Sequence, residues 1–191
     1  MSELGSTGIG VPATEPAARP LLVVTAGLPA SGKSTIAEVV GNRLGLPVLS
    51  VDPIEVAILS AGIDSEQPTG LAAYLVAEAM AEGVLAAGGG VVIDAVNAVE
   101  PAREQWVKLA ARQGAMLRFL EVVCSDPEIH RERLAARAGR HAKTDVAFAV
   151  EQSLDEWEPW TGEAAAVPRV TLDSIRPLGV NIEQALAFLE G

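Results

Sequence analysis

Between the apolar run LLVVTA (residues 21–26) and a helical pattern beginning near residue 33 lies Gly27-Leu28-Pro29-Ala30-Ser31-Gly32-Lys33-Ser34-Thr35. A strand that enters a helix through a turn pinned by two glycines commits a chain to α/β architecture. The spacing G-x-x-x-x-G-K-[ST] narrows this to a phosphate-holding loop. Gly27 and Gly32 let the backbone curl, with Pro29, Ala30 and Ser31 forming the arc between them, so that N–H groups turn inward as an anion nest. The helix that starts at Lys33 adds partial positive charge at its N-terminus. Lys33 reaches the β- and γ-phosphates as a compact cation, Ser34 offers a hydroxyl to Mg²⁺, and Thr35 is placed for a further phosphate contact. The alternative is a glycine-rich turn that holds no ligand; four matched positions in the required strand–helix context weigh against it.

Short β-branched runs at 21–26, 47–51, 90–95, 117–124 and 167–173 alternate with helical patterns near 33–44, 53–61, 68–88, 99–114, 126–138 and 143–157, and NIEQALAFLE closes the chain. That alternation predicts βαβ units, hence a parallel sheet covered on both faces. The runs at 21–26 and 90–93 are almost wholly apolar, as central strands are. Residues 1–19, rich in Gly, Pro, Ser, Thr and Ala, read as a mobile tail, and 20–191 as one domain. The 191 residues suffice for a real core, which aromatic scarcity (4 %) leaves to Ala, Val, Leu and Ile.

A formal charge of −11 argues against nucleic acid and anionic lipid as partners, because an acidic surface repels both at long range. The one cysteine, Cys124, excludes an intramolecular disulfide and reads as a small buried hydrophobe. The first residues lack a basic and an apolar signal region, and charged residues break every apolar stretch, so the expectation is a cytoplasmic chain with no membrane span.

Neither an N-K-x-D guanine signature, a D-x-x-G switch nor an LSGGQ transporter signature occurs. In VVIDAVN, Ala95 follows Asp94 where a hydrolytic motor places a water-polarising glutamate, which favours transfer to another acceptor over hydrolysis. Asp94 reads as a Mg²⁺ or substrate carboxylate at the carboxyl end of its strand, or else as a turn aspartate. Asp52, at the end of the second run, reads as a general base for an acceptor hydroxyl, or as the cap of a helix begun by Pro53; the two roles are compatible. Arg131, Arg133, Arg137 and Arg140 cluster within ten residues, with Arg133 and Arg137 on one helical face. They read either as a solvated helix paired with Glu128 and Glu132, or as a lid whose guanidinium groups stabilise a transferring phosphoryl group. His141 reads as a surface or adenine-side contact.

Taken together, GLPASGKST, SVDPIEVAIL, GGGVVIDAVN, Arg103 before Trp106, and EIHRERLAAR resemble the small P-loop kinases grouped with AAA-type ATP-binding proteins. Those include polynucleotide 5′-hydroxyl kinase, chloramphenicol phosphotransferase, gluconate kinase and zeta-toxin relatives. The resemblance runs from about Pro20 to Trp157. It implies a P-loop NTPase fold like that of nucleoside-monophosphate kinases: a three-layer α/β/α domain, a five-stranded parallel sheet in the order 2-3-1-4-5, and a short lid within about 131–150. It implies ATP and Mg²⁺, the latter at Ser34 and Asp94, with Lys33, Asp52, Arg133 and Arg137 catalytic and Arg140 on the nucleotide. Arg103 matches an arginine of the acceptor side, and Asp94 the aspartate of a D-x-[TN] strand, with Asn97 beyond it.

Two departures are informative. Glu55 stands where polynucleotide kinases place an arginine for a nucleic-acid phosphate, and Val96 where many relatives have threonine. The segment between the second and third strands forms the acceptor wall, which Asp64, Glu66 and Tyr74 face, although Tyr74 also suits core packing. Trp157 and Trp160 read equally as packing and as substrate wall. In TLDSIRP, after the last strand, Asp173 and Arg176 fall where related kinases hold adenine. The expected function is transfer of a γ-phosphate to a hydroxyl of a neutral or cationic small molecule. A polynucleotide 5′-hydroxyl or nucleoside kinase, and a non-catalytic ATP-gated protein, are the alternatives.

Overall fold

The computed structural model describes residues 19–141 and 157–191, with backbone alone at 138–141. The tail expected over 1–19, the helix expected over 143–157 and the outer part of the lid lie wholly or nearly outside the described residues, as do the side chains of Arg140 and His141.

Five strands, β1 (Leu21–Ala26), β2 (Val48–Ser50), β3 (Val91–Asp94), β4 (Met116–Val123) and β5 (Arg169–Asp173), form one parallel sheet in the order β2-β3-β1-β4-β5. This is the order expected. The helices are α1 (Lys33–Leu44), α2 (Val51–Ser60), α3 (Thr69–Ala86), α4 (Glu100–Gln113), α5 (Pro127–His141) and α6 (Leu178–Glu190).

Alternate residues of the central strands face two cores. Leu22, Val24, Val91, Ile93 and Phe119 meet α3 and α4 through Ala73, Ala77, Ala81, Trp106 and Leu109. Val23, Val92, Leu120 and Val122 meet α1 and α6 through Ile36, Val40, Ile182 and Leu189. Each fully buried large side chain contributes roughly 1.5–3 kcal/mol. Sheet burial on both faces explains why β1 and β3 carry no polar alternation. The carboxyl ends of β1, β2, β3 and β4 all reach the same edge of the sheet, where the loops that hold ligands in such folds gather.

The structure corrects three expectations. The first concerns α3: by length and composition this 18-residue helix could cross a membrane, whereas the sequence had suggested no such stretch. In the fold its alanine face lies in the core while Glu78 and Glu82 bond Arg112 and Gln113 of α4. The second concerns α2, which begins at Val51 and not at Pro53, so Asp52 sits in the first helical turn instead of ending a strand. Proline fits that turn because the N–H it lacks would have no helical partner there. Ser50 is therefore the N-cap residue, and Asp52 is not. The third is Cys124, which is half-buried, with its thiol against Asp126 O and the Arg133 guanidinium.

Candidate active site

The phosphate loop is held in its curl by the β3–α4 connection, by a bond within itself and by α5. Gly27 N donates to Val96 O (2.9 Å), Ser31 N to Leu28 O (3.1 Å), and the His130 ring meets Pro29 O through Nε2 (2.8 Å). Gly27 has φ +155° and packs so closely that a Cβ there would stand 2.2 Å from Val122 O. Gly32, at φ +101°, is the N-cap of α1, and Ala30 also takes a positive φ (61°). Glycine carries the turn at two positions and Ala30 accepts strain at a third.

The curl opens onto a cavity of about 450 Å³. Ala30, Gly32, Lys33, Ser34 and Thr35 line it together with Arg133 and Arg137 of α5 and with Ser174, Arg176 and Asn181. Lys33 is 3 % exposed. Burial lowers the pKa of its ammonium; Asp52 and Asp94 oppose this, Arg137 reinforces it, and the net shift is downward. A buried ammonium facing a cavity is poised to gain a polyanion as partner.

Asp52 reaches the same place from the first turn of α2, where its carboxylate pairs with the Arg137 guanidinium. Arg133, one turn earlier on α5, points elsewhere: Nη1 donates to Ser174 Oγ (2.7 Å) and Nη2 to Ser174 O (3.3 Å). The two arginines thus face one cavity but hold different partners. Asp94, 7 % exposed, accepts from Ser50 Oγ at 3.1 Å and from Thr25 Oγ1 at 3.5 Å. The bond from Ser50 explains why that N-cap hydroxyl makes no capping bond to α2. Glu55 is half-buried and accepts from Thr69 Oγ1 (2.9 Å), joining α2 to α3. Asp64 accepts from Glu66 N within its own exposed turn. Arg176 is exposed and donates to Gln184 Oε1 at 2.9 Å.

Tyr74 packs against the core, the second of the two readings its sequence position allowed. Its phenolic oxygen accepts from Asn97 N (3.0 Å) and its ring packs 6.3 Å from Trp106. Burial raises the phenol pKa, the Asn97 amide opposes this, and Asp52, Asp94 and Glu55 add to the rise, so the group stays a neutral donor.

Two acceptor-side candidates are structural in this geometry. Asn97 is fully buried: Nδ2 donates to Thr25 O (2.7 Å) and Oδ1 accepts from Trp106 Nε1 (2.9 Å). Arg103 is fully buried too, and does not line the acceptor side. Its guanidinium donates to Asn97 O, Ala98 O, Glu158 O and Pro159 O at 2.7–3.0 Å, between the rings of Trp157 and Trp160. Trp160 is packing: it bonds Glu121 through Nε1 and meets Phe119 edge-on. Trp157 also borders a smaller cavity of about 170 Å³ with Leu28, Cys124 and His130.

Sequence reasoning missed His130 as a brace of the loop, and Asn181. Asn181 stands on the buried stripe of α6 with Ile182, Ala185 and Leu189, and a polar residue on an apolar stripe is the signal that could have found it.

The sequence model of a family described as AAA domain matches residues 22–159. No curated protein matches the sequence. Among solved structures, the chain is similar to a gluconokinase from Sinorhizobium meliloti 1021 (23 % identity, TM-score 0.59, covering 91 % of this chain and 94 % of that one). It is similar to Chaetomium thermophilum Kti12 in complex with ADP-AlF3 (21 %, TM-score 0.69, 89 % and 100 %). A third is the Mycobacterium tuberculosis APS kinase CysC in complex with AMPPNP and APS (20 %, TM-score 0.65, 91 % and 99 %). At these identities the likeness is one of fold.

Proposed function

We propose that the chain, which belongs to the AAA domain family, moves the γ-phosphate of ATP to a hydroxyl of a small molecule, with Asp52 as general base. The observation that carries this is that Lys33 and Arg137 line one cavity on the phosphate loop while Asp52 pairs with Arg137 and acts electrostatically on Lys33. The loop amides and Lys33 hold the β- and γ-phosphates, and Arg133 and Arg137 face the phosphates from α5. Ser34 and Asp94 are hard oxygen donors of the kind that hold Mg²⁺ alongside substrate phosphates, and the ion supplies charge screening there.

The acceptor oxygen attacks the γ-phosphorus, the bond to the β-phosphate oxygen breaks, ADP leaves, and the hydroxyl proton passes to Asp52. For this Arg137 must release Asp52, and the incoming triphosphate is the stronger anionic partner that draws it away. Asp52, Glu55 and Asp94 all act on Tyr74 electrostatically, so the acceptor side carries negative charge. This favours a neutral or cationic hydroxyl compound over a phosphorylated one. Tyr74, a neutral phenol, is a donor able to orient that hydroxyl.

The Arg137–Asp52 pair also fits a protein that closes on ATP without transferring phosphate. The Asp52→Asn variant separates the two. Acceptor-dependent ADP release, screened over antibiotics, sugars and nucleosides, falls by about 10²–10⁴ if Asp52 is the base, while ATP affinity persists. Full ADP release by Asp52→Asn contradicts the assignment.

A further inference from the structure

We infer that Asn181 is the residue that selects the base of the nucleotide, taking adenine over guanine; this rests on the nucleotide reading of the loop above. Asn181 lies one turn into α6, 1 % exposed, and lines the 450 Å³ cavity that Lys33 also lines. Its amide is locked in one orientation. The Asp173 main-chain oxygen can only accept, so the group facing it at 2.8 Å must be Nδ2, which donates. The other end of the amide, Oδ1, is therefore a fixed acceptor, and among the described residues it has no hydrogen-bond partner.

A buried acceptor without a donor is costly, and a ligand that brings the donor recovers that cost. Ser174, which follows the Asp173 that holds Asn181, packs against Gly32 of the phosphate loop and bonds Arg133, so a nucleotide held by its phosphates has these residues and Asn181 along the same cavity for its ribose and base.

The chemistry then discriminates. Adenine carries an amino group at C6, which donates to Oδ1. Guanine carries a carbonyl oxygen at the same place, which meets Oδ1 acceptor to acceptor. Rotating the amide to suit guanine would turn Oδ1 against the Asp173 oxygen and break the bond that holds it. Sites built around one hydrogen bond reject ligands that leave their polar groups unpaired.

The test compares ligands before it compares proteins. Affinities of the wild-type chain are measured for ATP, for purine riboside triphosphate (which lacks the amino group), for GTP and for inorganic tripolyphosphate. Each is repeated with Asn181→Leu, which keeps the side chain's size. The expected result is ATP bound about tenfold tighter than the purine analogue and GTP by the wild type, the ATP preference reduced to within about twofold in Asn181→Leu, and tripolyphosphate affinity equal in both proteins. Equal wild-type affinity for ATP and the purine analogue overturns the inference whether or not the variant folds. So does an ATP preference that survives in Asn181→Leu. A wild type that binds tripolyphosphate but shows no base preference defeats this inference alone, whereas one that binds neither ATP nor tripolyphosphate defeats the loop assignment beneath it.

Discussion

The phosphate loop and the β3–α4 connection lie side by side at the same edge of the sheet, yet they use polar groups in opposite ways. At the connection, every functional-looking side chain is committed within the chain: Asn97 to Thr25 and Trp106, Arg103 to four carbonyl oxygens. Around the loop, polarity is held open. Lys33 is buried at a depressed pKa, and Ser31 Oγ and Asn181 Oδ1 are buried without partners among the described residues. Folding energy is invested at the first place and binding energy is reserved at the second. A polar residue near a site is a ligand contact only when its own chain has not already used it.

The sharpest way to break that contrast is at Arg103. Arg103→Leu takes one donor from each of four carbonyl oxygens and removes a cation from the faces of two tryptophan rings. It should cost about 3–5 kcal/mol of stability, read by denaturant unfolding, with nucleotide affinity of the folded protein retained. A stable variant that loses acceptor turnover would return Arg103 to the acceptor side.

Lys33→Met is the reciprocal experiment. Nucleotide affinity or turnover should fall about 10²–10³-fold, while stability stays level or rises, because the variant no longer buries an ammonium. Loss of stability without loss of binding would make Lys33 structural.

A finer distinction comes from pH. The folded, ligand-free Lys33 ammonium releases its proton below the ordinary 10.5 of an exposed lysine. Between the two values the unfolded chain binds more protons than the folded one, so ligand-free stability rises with pH across that window relative to Lys33→Met. Phosphates restore the proton, so wild-type tripolyphosphate affinity is full below the lowered pKa and declines as pH climbs through it. A flat difference between wild type and Lys33→Met would contradict the burial of a free ammonium.

The smallest effect belongs to a pair that serves neither region. Arg112 bonds Glu78 at 2.6 Å across α4 and α3, but it is half exposed. Glu78→Gln should cost less than about 1 kcal/mol in thermal unfolding.

The same contrast explains what the sequence made legible. The loop was readable because curling a chain around phosphates demands particular residues at fixed spacing, and the sheet order followed from strand–helix alternation together with the family resemblance. Asp52 was placed near its true position but on the wrong element, since Pro53 suits either a strand end or a first helical turn. Asn97 and Arg103 misled for a different reason. Glu158, Pro159, Trp157 and Trp160, which hold Arg103, come from more than fifty residues away, as does the Thr25 oxygen that holds Asn97, and local spacing carries no record of them. His130 was hidden likewise, because Pro29 reaches it only through the fold, whereas Asn181 left one trace, a polar residue on the apolar stripe of its helix.

The most direct measurement is a crystal structure of the chain grown with Mg²⁺ and a non-hydrolysable ATP analogue. The account predicts the β- and γ-phosphates within the curl of residues 27–35, about 3 Å from Lys33 Nζ, and Asp52 freed from Arg137 and facing the γ-phosphate. A nucleotide bound elsewhere with the curl unfilled, or an Asp52–Arg137 pair that persists beside bound triphosphate, would contradict it.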